Sequence, residues 1–179
     1  MQGWAWRRTE SVNDQSEQVA ETSRYRAALV LLRTFLGVVY LGNGLAKLFG
    51  FRSIAIGPWK SFLLNRDDAF NIQTGNTSSS PGFLHDLGTL VLNNWAVFQW
   101  LLTLGEIAVG LGLMLGLLSR LTVIAGFLLA FSTFMFTLGA ETWTFDYLFE
   151  PAIFLALLLA PSLPGLDSRL SWGRPRSRL

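Results

Sequence analysis

Four ionisable residues interrupt stretches of the sequence that are otherwise almost wholly apolar: Arg33, Lys47, Glu106 and Glu150. An ionisable group inside a membrane segment is costly, so it faces the interior of a helix bundle and commonly marks a functional site. A carboxyl group in such a position can hold a proton or transfer it to a bound ligand. Together with Tyr40, these residues are the candidates for an intramembrane polar network.

The depths of these side chains predict how they pair. Glu106 lies about 11 residues from the outer end of its apolar segment, or roughly 17 Å at 1.5 Å per residue. Arg33 lies roughly 20 Å below the same face of a ~30 Å core, whereas Lys47 and Glu150 belong to the outer part. We therefore predict two pairs, Arg33 with Glu106 and Lys47 with Glu150.

Two alternatives to these pairs remain open. Arg33 and Lys47 have long side chains that can extend to opposite membrane interfaces. Glu106 can instead be protonated and bond a backbone carbonyl group or the Tyr40 hydroxyl. Either arrangement would leave Glu106 without a basic partner.

An aromatic cluster, "ETWTFDYLFEP" at 141–151, lies at the start of the last apolar segment. It has two interpretations. In one, it is an interfacial aromatic belt with a helix start, a common feature of membrane proteins and therefore the favoured reading. In the other, Trp143, Tyr147 and Glu106 line a pocket for a ring-shaped, lipid-soluble ligand such as a quinone.

The composition indicates a membrane protein and excludes several kinds of redox centre. The chain is 51% hydrophobic and 15% charged, against about a quarter charged in typical soluble domains. It has no cysteine and one histidine, which excludes disulfides, iron–sulfur clusters and bis-histidine haem within one chain. Its basic residues flank apolar runs instead of covering one face, so no nucleic-acid partner is expected. We expect no metal site and no covalently bound cofactor.

Four apolar segments are long enough to be predicted membrane spans, at about 27–49, 95–118, 121–138 and 145–160. Nine Lys and Arg residues fall on one side of these spans and three on the other. Because basic residues are retained on the cytoplasmic side, both termini are predicted to be cytoplasmic. The predicted fold is an all-α, integral membrane four-helix bundle.

The predicted organisation has three parts. They are a polar, loosely ordered cytoplasmic tail at 1–26, a membrane domain at 27–163 and a basic cytoplasmic tail at 164–179. The membrane domain includes a long outer loop, 50–94, which is predicted to be a partner surface because long loops are commonly functional. The centre of this loop is rich in turn-forming residues, and its apolar flanks are predicted to form short helices on the membrane surface.

Small residues are dense in the first two spans, including Gly37, Gly44, Gly110 and the "GLMLG" stretch at 112–116. Such faces let helices approach closely. Packing within the chain is the favoured role, and contact between chains is the alternative.

Three stretches carry a family resemblance: "LLRTFLGVVYLGNGLAKLFG", "GEIAVGLGLMLGLLSRLTVIAG", and "FDYLFEPAIFLALLLAP" followed by "GLDSRL". In these helices and sparse polar residues the chain resembles the DoxX/DoxD superfamily of small four-helix membrane proteins. The resemblance covers most of the chain after residue 26. The long first outer loop is more similar to DoxD than to the shorter DoxX proteins, and the N-terminal tail is not part of the pattern.

The resemblance implies a membrane subunit of thiosulfate:quinone oxidoreductase, or of a related sulfur- or redox-stress complex, in a prokaryotic plasma membrane. Arg33, Lys47, Glu106 and Arg120 match the family's polar positions. Quinone is then the expected non-covalent cofactor. Because the chain has no redox centre of its own, a partner subunit must supply the electrons.

Two function classes therefore remain open. The chain is either an enzyme subunit that helps reduce quinone with electrons from thiosulfate or a related sulfur compound, or a non-catalytic, structural subunit of a larger respiratory or photosynthetic complex. In both classes the expected partners are the lipid bilayer and other membrane or exported protein subunits.

Overall fold

The computed structural model describes residues 3–60, 63–117, 119–138, 144–160 and 165–166. Most of this chain is helical: α1 (Gly3–Phe49), α2 (Arg66–Ser79), α3 (Gly82–Asn93), α4 (Trp95–Leu115), α5 (Ser119–Thr137) and α6 (Thr144–Leu159). Two-residue strands, β1 (Ala55–Ile56) and β2 (Trp59–Lys60), form an antiparallel hairpin. Apart from this hairpin, the prediction of an all-α protein is confirmed.

Three helices are long and apolar enough to cross a membrane, over Gln18–Phe49, Trp95–Leu115 and Arg120–Thr137. The apolar part of α6, Leu148–Leu159, is shorter than the roughly 20 residues that a span usually needs. Large apolar side chains are exposed along the long helices, as expected where a surface contacts lipid instead of water. Together, these features indicate a membrane protein.

Helix α1 extends well beyond its predicted start near residue 27. It begins at Gly3 and is therefore roughly 70 Å long at 1.5 Å per residue, more than twice the ~30 Å hydrocarbon core. Residues 18–28 of this extension are exposed. The sequence suggested a loosely ordered tail because it is polar, but no glycine or proline follows Gly3 until Gly37. Nothing in the tail therefore terminates the helix.

Helices α1 and α4 pack backbone against backbone through glycines. A Cβ atom added at Gly37 would lie 2.9 Å from the Met114 nitrogen, and one added at Gly44 would lie 2.9 Å from the Ile107 nitrogen. Gly110 of α4 contacts the Leu41 backbone in the same way. These distances are too short for any side chain, so the small residues serve packing within the chain.

Helices α5 and α6 complete the core. The Phe154 ring is fully buried and lies against Gly126, where no larger residue would fit. The same ring meets Tyr40 edge-on, with 5.4 Å between ring centroids. Helix α4 ends at Gly116, whose φ of 65° favours glycine, and α5 begins at Ser119. The predicted tight link between the second and third spans is thereby confirmed.

The segment between α1 and α4, residues 50–94, is called the outer segment, and the end of the molecule where it lies is called the outer end. Its first flank was predicted to be helical, but it contains the β1–β2 hairpin, which turns at Gly57 with a φ of 61°. Its centre, which is rich in turn-forming residues, forms most of α2. Its second flank forms α3, as predicted.

Local hydrogen bonds explain why a polar stretch forms α2. The Asn65 side chain caps the helix by accepting a bond from the Asp68 nitrogen at 2.8 Å. Thr74 and Ser79 each donate a hydroxyl bond to the carbonyl four residues earlier, so these polar side chains are satisfied within the helix. Thr77 of α2 is buried against Gly88 of α3. The polar helix is thereby held against its apolar neighbour.

Candidate functional site

An ion pair links α1 to α4 in the outer half of the membrane region. The Lys47 ammonium group lies 2.9 Å from Glu106 Oε1 and 2.9 Å from Glu106 Oε2. The Lys47 side chain is 3% exposed and the Glu106 side chain 13% exposed. Both charged groups are therefore almost fully buried. A buried charge is costly without an opposite charge beside it, so each of the two residues compensates the other.

The antiparallel register of α1 and α4 explains this pairing. Gly44 lies beside Thr103 and Ile107, which places Lys47 about one helical turn nearer the outer end than Glu106. Helical side chains lean toward the N-terminus of their own helix. Since the two helices run in opposite directions, Lys47 leans inward and Glu106 leans outward, and their charged groups meet.

The predicted pair of Arg33 with Glu106 is wrong. Arg33 is buried at the other end of α4, where its guanidinium group lies close to Gly116 and Gly165. By the same register, Arg33 is roughly ten residues, or about 15 Å, from the level of Glu106. The prediction counted the depth of each residue from the end of its own apolar segment, and it therefore assumed that these segments end at the same level. Here α4 begins roughly 7 Å beyond the outer end of α1.

The predicted pair of Lys47 with Glu150 is also wrong, because Lys47 pairs with Glu106 instead. Glu150 of α6 lies near the Tyr40 hydroxyl group of α1, and both side chains line one cavity. The Tyr40 ring is buried in the core, and Phe154 fixes it from the side. The alternative in which Tyr40 bonds Glu106 does not match this arrangement.

A cavity of about 190 Å³ brings both pairs together. Its walls come from α1, α4, α5, α6 and the outer segment: Val39, Tyr40, Asn43, Lys47, Leu64, Leu102, Glu106, Leu129, Thr133 and Glu150. Thr133 of α5 and Leu64 of the outer segment are both exposed, so the cavity lies close to the surface of the protein on these two sides. Its polar groups can donate and accept hydrogen bonds, and its carboxyl groups can exchange protons.

Asn43 is a site residue that was not predicted. Its Oδ1 accepts a hydrogen bond from the Leu64 nitrogen at 2.9 Å, and its Nδ2 donates to the Val39 carbonyl at 3.1 Å. The first bond fastens the outer segment to α1 and positions Leu64 in the cavity wall. An asparagine within the apolar stretch "LGNGL" was the available signal, since a polar group there needs a partner.

The remaining predicted site residues either do not line this cavity or lie outside the part of the chain that the structure describes. Trp143 lies outside the described residues, and the Tyr147 side chain also falls outside that part. The one histidine of the sequence, His85, was not among the predicted site residues; it lies on α3, where its Nδ1 donates to the Thr77 carbonyl at 2.9 Å and so joins α3 to α2. Among the described residues, no group of His, Cys, Asp and Glu could hold a metal ion.

Comparisons of the chain with protein-family models, curated proteins and solved structures find no match. The polar cavity is therefore the feature from which a function can be inferred.

Proposed function

We propose that this protein is the quinone-binding membrane subunit of a redox complex, of the thiosulfate:quinone oxidoreductase type that its DoxX/DoxD resemblance implies. The observation that carries the proposal is the polar cavity, which Lys47, Glu106, Tyr40 and Glu150 line together. We infer that a lipid-soluble ligand enters it from the bilayer beside Thr133, without crossing water.

The size and chemistry of the cavity support a quinone head group. Pockets that enclose a whole drug-sized ligand measure about 300–1,000 Å³, so a cavity of about 190 Å³ accepts one ring and leaves an isoprenoid tail in the lipid. Quinone carbonyl oxygens accept hydrogen bonds, which the Lys47 ammonium and Tyr40 hydroxyl groups can donate. The Glu106 and Glu150 carboxyl groups can carry protons to the reduced ring.

We assign the supply of electrons to a partner subunit, because the reaction must balance. Reduction of a quinone to a quinol takes up two electrons and two protons. The chain has no cysteine and one histidine, so the electrons come from a partner subunit that oxidises a reduced sulfur compound. In this chain, the Lys47, Glu106, Tyr40 and Glu150 side chains bind the ring and move protons.

The proposal includes a topology. α6 serves as the fourth span of a four-helix bundle, packed against α5, and its shortness is offset by local thinning of the bilayer. Both termini then lie in the cytoplasm of a prokaryotic cell, and the outer segment lies on the opposite side. The basic residues support this orientation, since nine fall on the side of the termini and three in the outer segment.

The test compares Glu106→Gln with Glu21→Gln in the complex purified from its native membrane in mild detergent. Glu106→Gln keeps the shape of the side chain and can still hydrogen-bond Lys47, which can remain buried as a neutral amine, but a glutamine cannot take up or release a proton as a carboxyl group does. We expect the variant complex to retain its subunits and its extractable quinone, while quinone reduction falls roughly 10²-fold or more. Glu21 lies on the exposed extension of α1, so its variant should react at the wild-type rate. Unchanged turnover in Glu106→Gln would exclude the proposed role.

A second candidate, a non-catalytic structural subunit, is favoured by one feature of the outer segment. Phe83, Leu87 and Leu90 of α3 are exposed at helical spacing, which makes a short apolar stripe suited to another subunit. If this role is the correct one, Phe83→Ser with Leu90→Ser should release the chain from its complex. The Glu106→Gln variant should then leave turnover unchanged.

A further inference from the structure

A second polar pocket, of about 300 Å³, lies at the outer end of the molecule, separate from the candidate quinone cavity. Its walls are Gly50, Arg52, Asn65, Arg66, Asp67 and Gln99. The whole outer segment carries three Lys and Arg residues, and two of them line this one pocket. Two arginines therefore lie close together on a side of the protein that is poor in basic residues.

Among the described residues, no carboxylate forms an ion pair with either of the two guanidinium groups in this pocket. In the part of the chain that the structure describes, the Lys47–Glu106 contact is the only ion pair within 4.0 Å. Asp67 lines the same pocket but lies beyond ion-pair distance of both Arg52 and Arg66. The pocket therefore has a net positive charge and unused N–H donors, which suit an anion.

One of these arginines is held in position by an aromatic ring. The Arg66 guanidinium carbon lies 4.7 Å from the centroid of the Trp100 ring. A guanidinium group stacked on an indole ring keeps the N–H groups at its edge available for hydrogen bonds in its own plane. Trp100 thus holds the Arg66 guanidinium group in place at the pocket. The Gln99 side chain, next along α4, adds amide groups to the same pocket wall.

The position of the pocket indicates which anion it meets. It lies at the beginning of α4, a membrane-spanning helix, where Trp95 and Trp100 are placed as interfacial tryptophans commonly are. Trp100, on whose ring Arg66 stacks, is followed along α4 by Leu104 and Leu111 at i+4 and i+11, and these exposed side chains form one apolar stripe that leads toward the hydrocarbon core. A molecule that fits both features has a phosphate group and acyl chains.

We propose that the pocket formed by Arg52, Arg66 and Gln99 binds the phosphate group of a phospholipid whose acyl chains lie along the Trp100–Leu104–Leu111 stripe. The lipid belongs to the leaflet at the outer end of the molecule. The site is independent of the quinone cavity, since the two share no lining residue.

The first experiment measures lipid that remains bound. The full-length protein and its variants are purified in mild detergent, and the phospholipid retained per protein chain is counted by native mass spectrometry. Arg52→Gln with Arg66→Gln should lower retention about fivefold for each arginine, the effect of one basic residue near an anionic membrane surface. The charge-matched control, Arg24→Gln with Arg120→Gln, removes exposed arginines elsewhere and should stay within about twofold of wild type.

A conservative variant keeps the result interpretable if the double variant folds poorly. Arg66→Lys retains the charge but loses the planar group that stacks on Trp100, so it should retain less lipid than wild type and more than the double variant. Wild-type retention in both Arg66→Lys and the double Gln variant would overturn the proposal.

The second experiment identifies the source of the phosphate group. Delipidated protein is titrated with short-chain phosphatidylglycerol or with inorganic phosphate, and its thermal unfolding in detergent is followed. The lipid should raise the unfolding temperature of the wild type and not that of the double Gln variant. Inorganic phosphate at the same concentration should have no effect. Equal stabilisation by the two would mean a site for a soluble anion and would overturn the assignment to a lipid.

Discussion

The Lys47 ammonium group lies 2.9 Å from each carboxylate oxygen of Glu106, so the two residues form a single buried unit between α1 and α4. Glu106→Leu leaves the lysine charge buried without a partner, and breaking a buried pair in this way costs about 3–5 kcal/mol. Lys47→Met combined with Glu106→Leu removes both charges and should restore most of that loss. Reversible unfolding in detergent measures the free energies.

A substitution of Arg33 is the control for these single and double variants of Lys47 and Glu106. Arg33→Leu combined with Glu106→Leu should be no more stable than Glu106→Leu alone, because Arg33 lies beside Gly116 at the other end of α4. Recovery in this double variant, without recovery in the Lys47→Met variant, would favour the pairing predicted from depth over the observed ion pair.

The Tyr40 hydroxyl group makes a smaller, separable contribution. Tyr40→Phe removes the hydroxyl group near Glu150 but keeps the ring that packs on Phe154. The loss should be about 1 kcal/mol if Glu150 becomes protonated or is solvated through the cavity. Tyr40→Leu also removes the edge-on ring contact and should cost about 1 kcal/mol more. Equal unfolding free energies for the Phe variant and wild type would mean that the hydroxyl bond adds no net stability.

Close approach of α1 and α4 can be tested with one added methyl group. Gly110→Ala places a Cβ atom against the Leu41 backbone, which cannot move aside as a side chain would. We expect a loss of about 1–3 kcal/mol, typical of overpacking. Gly75→Ala is the matched control: it lies within α2 with no atom within 4 Å of the added carbon, and it should stabilise by about 0.5–1 kcal/mol. Equal effects at the two positions would contradict the packing described for α1 and α4.

The orientation of the chain can be tested because the sequence contains no cysteine. Ser78→Cys places a thiol on the exposed surface of the outer segment, and Ser23→Cys places one on the exposed extension of α1. An impermeant thiol reagent added to intact cells should label the first and not the second. Both should be labelled after the cells are opened. The opposite pattern in intact cells would reverse the proposed topology.

Much of the helical framework could be predicted from the sequence, because it depends on local features. Apolar runs of about 20 residues give α4 and α5, and the tight connection between them follows from the short interval between the runs. The glycines of α1 and α4 were expected to pack, and they do. The secondary structure of the outer segment was more difficult to predict from the sequence. The turn-forming residues of α2 are satisfied by side-chain hydrogen bonds within the helix and by contact with α3.

Most of the charged and aromatic cavity residues could also be named in advance, but their partners could not. Burial cost alone identifies Lys47, Glu106 and Glu150 in an apolar sequence. Their pairing depends on how far α4 extends past α1, and that offset is set by the glycine contacts and not by the length of either helix. Asn43 was missed because its role depends on the Leu64 nitrogen, 21 residues along the chain.

The bond from Leu64 to Asn43 also determines what can reach the buried carboxyl groups. Of the described residues that line the cavity, only Leu64 comes from the outer segment, and it presents an apolar side chain on that side. A hydrated ion arriving from the aqueous phase would have to shed its water against leucine, at a high desolvation cost. An uncharged molecule dissolved among the acyl chains would not meet that cost beside Thr133. If the proposed quinone site is correct, the bond between Leu64 and Asn43 therefore favours ligands that arrive from the bilayer over ions that arrive from water.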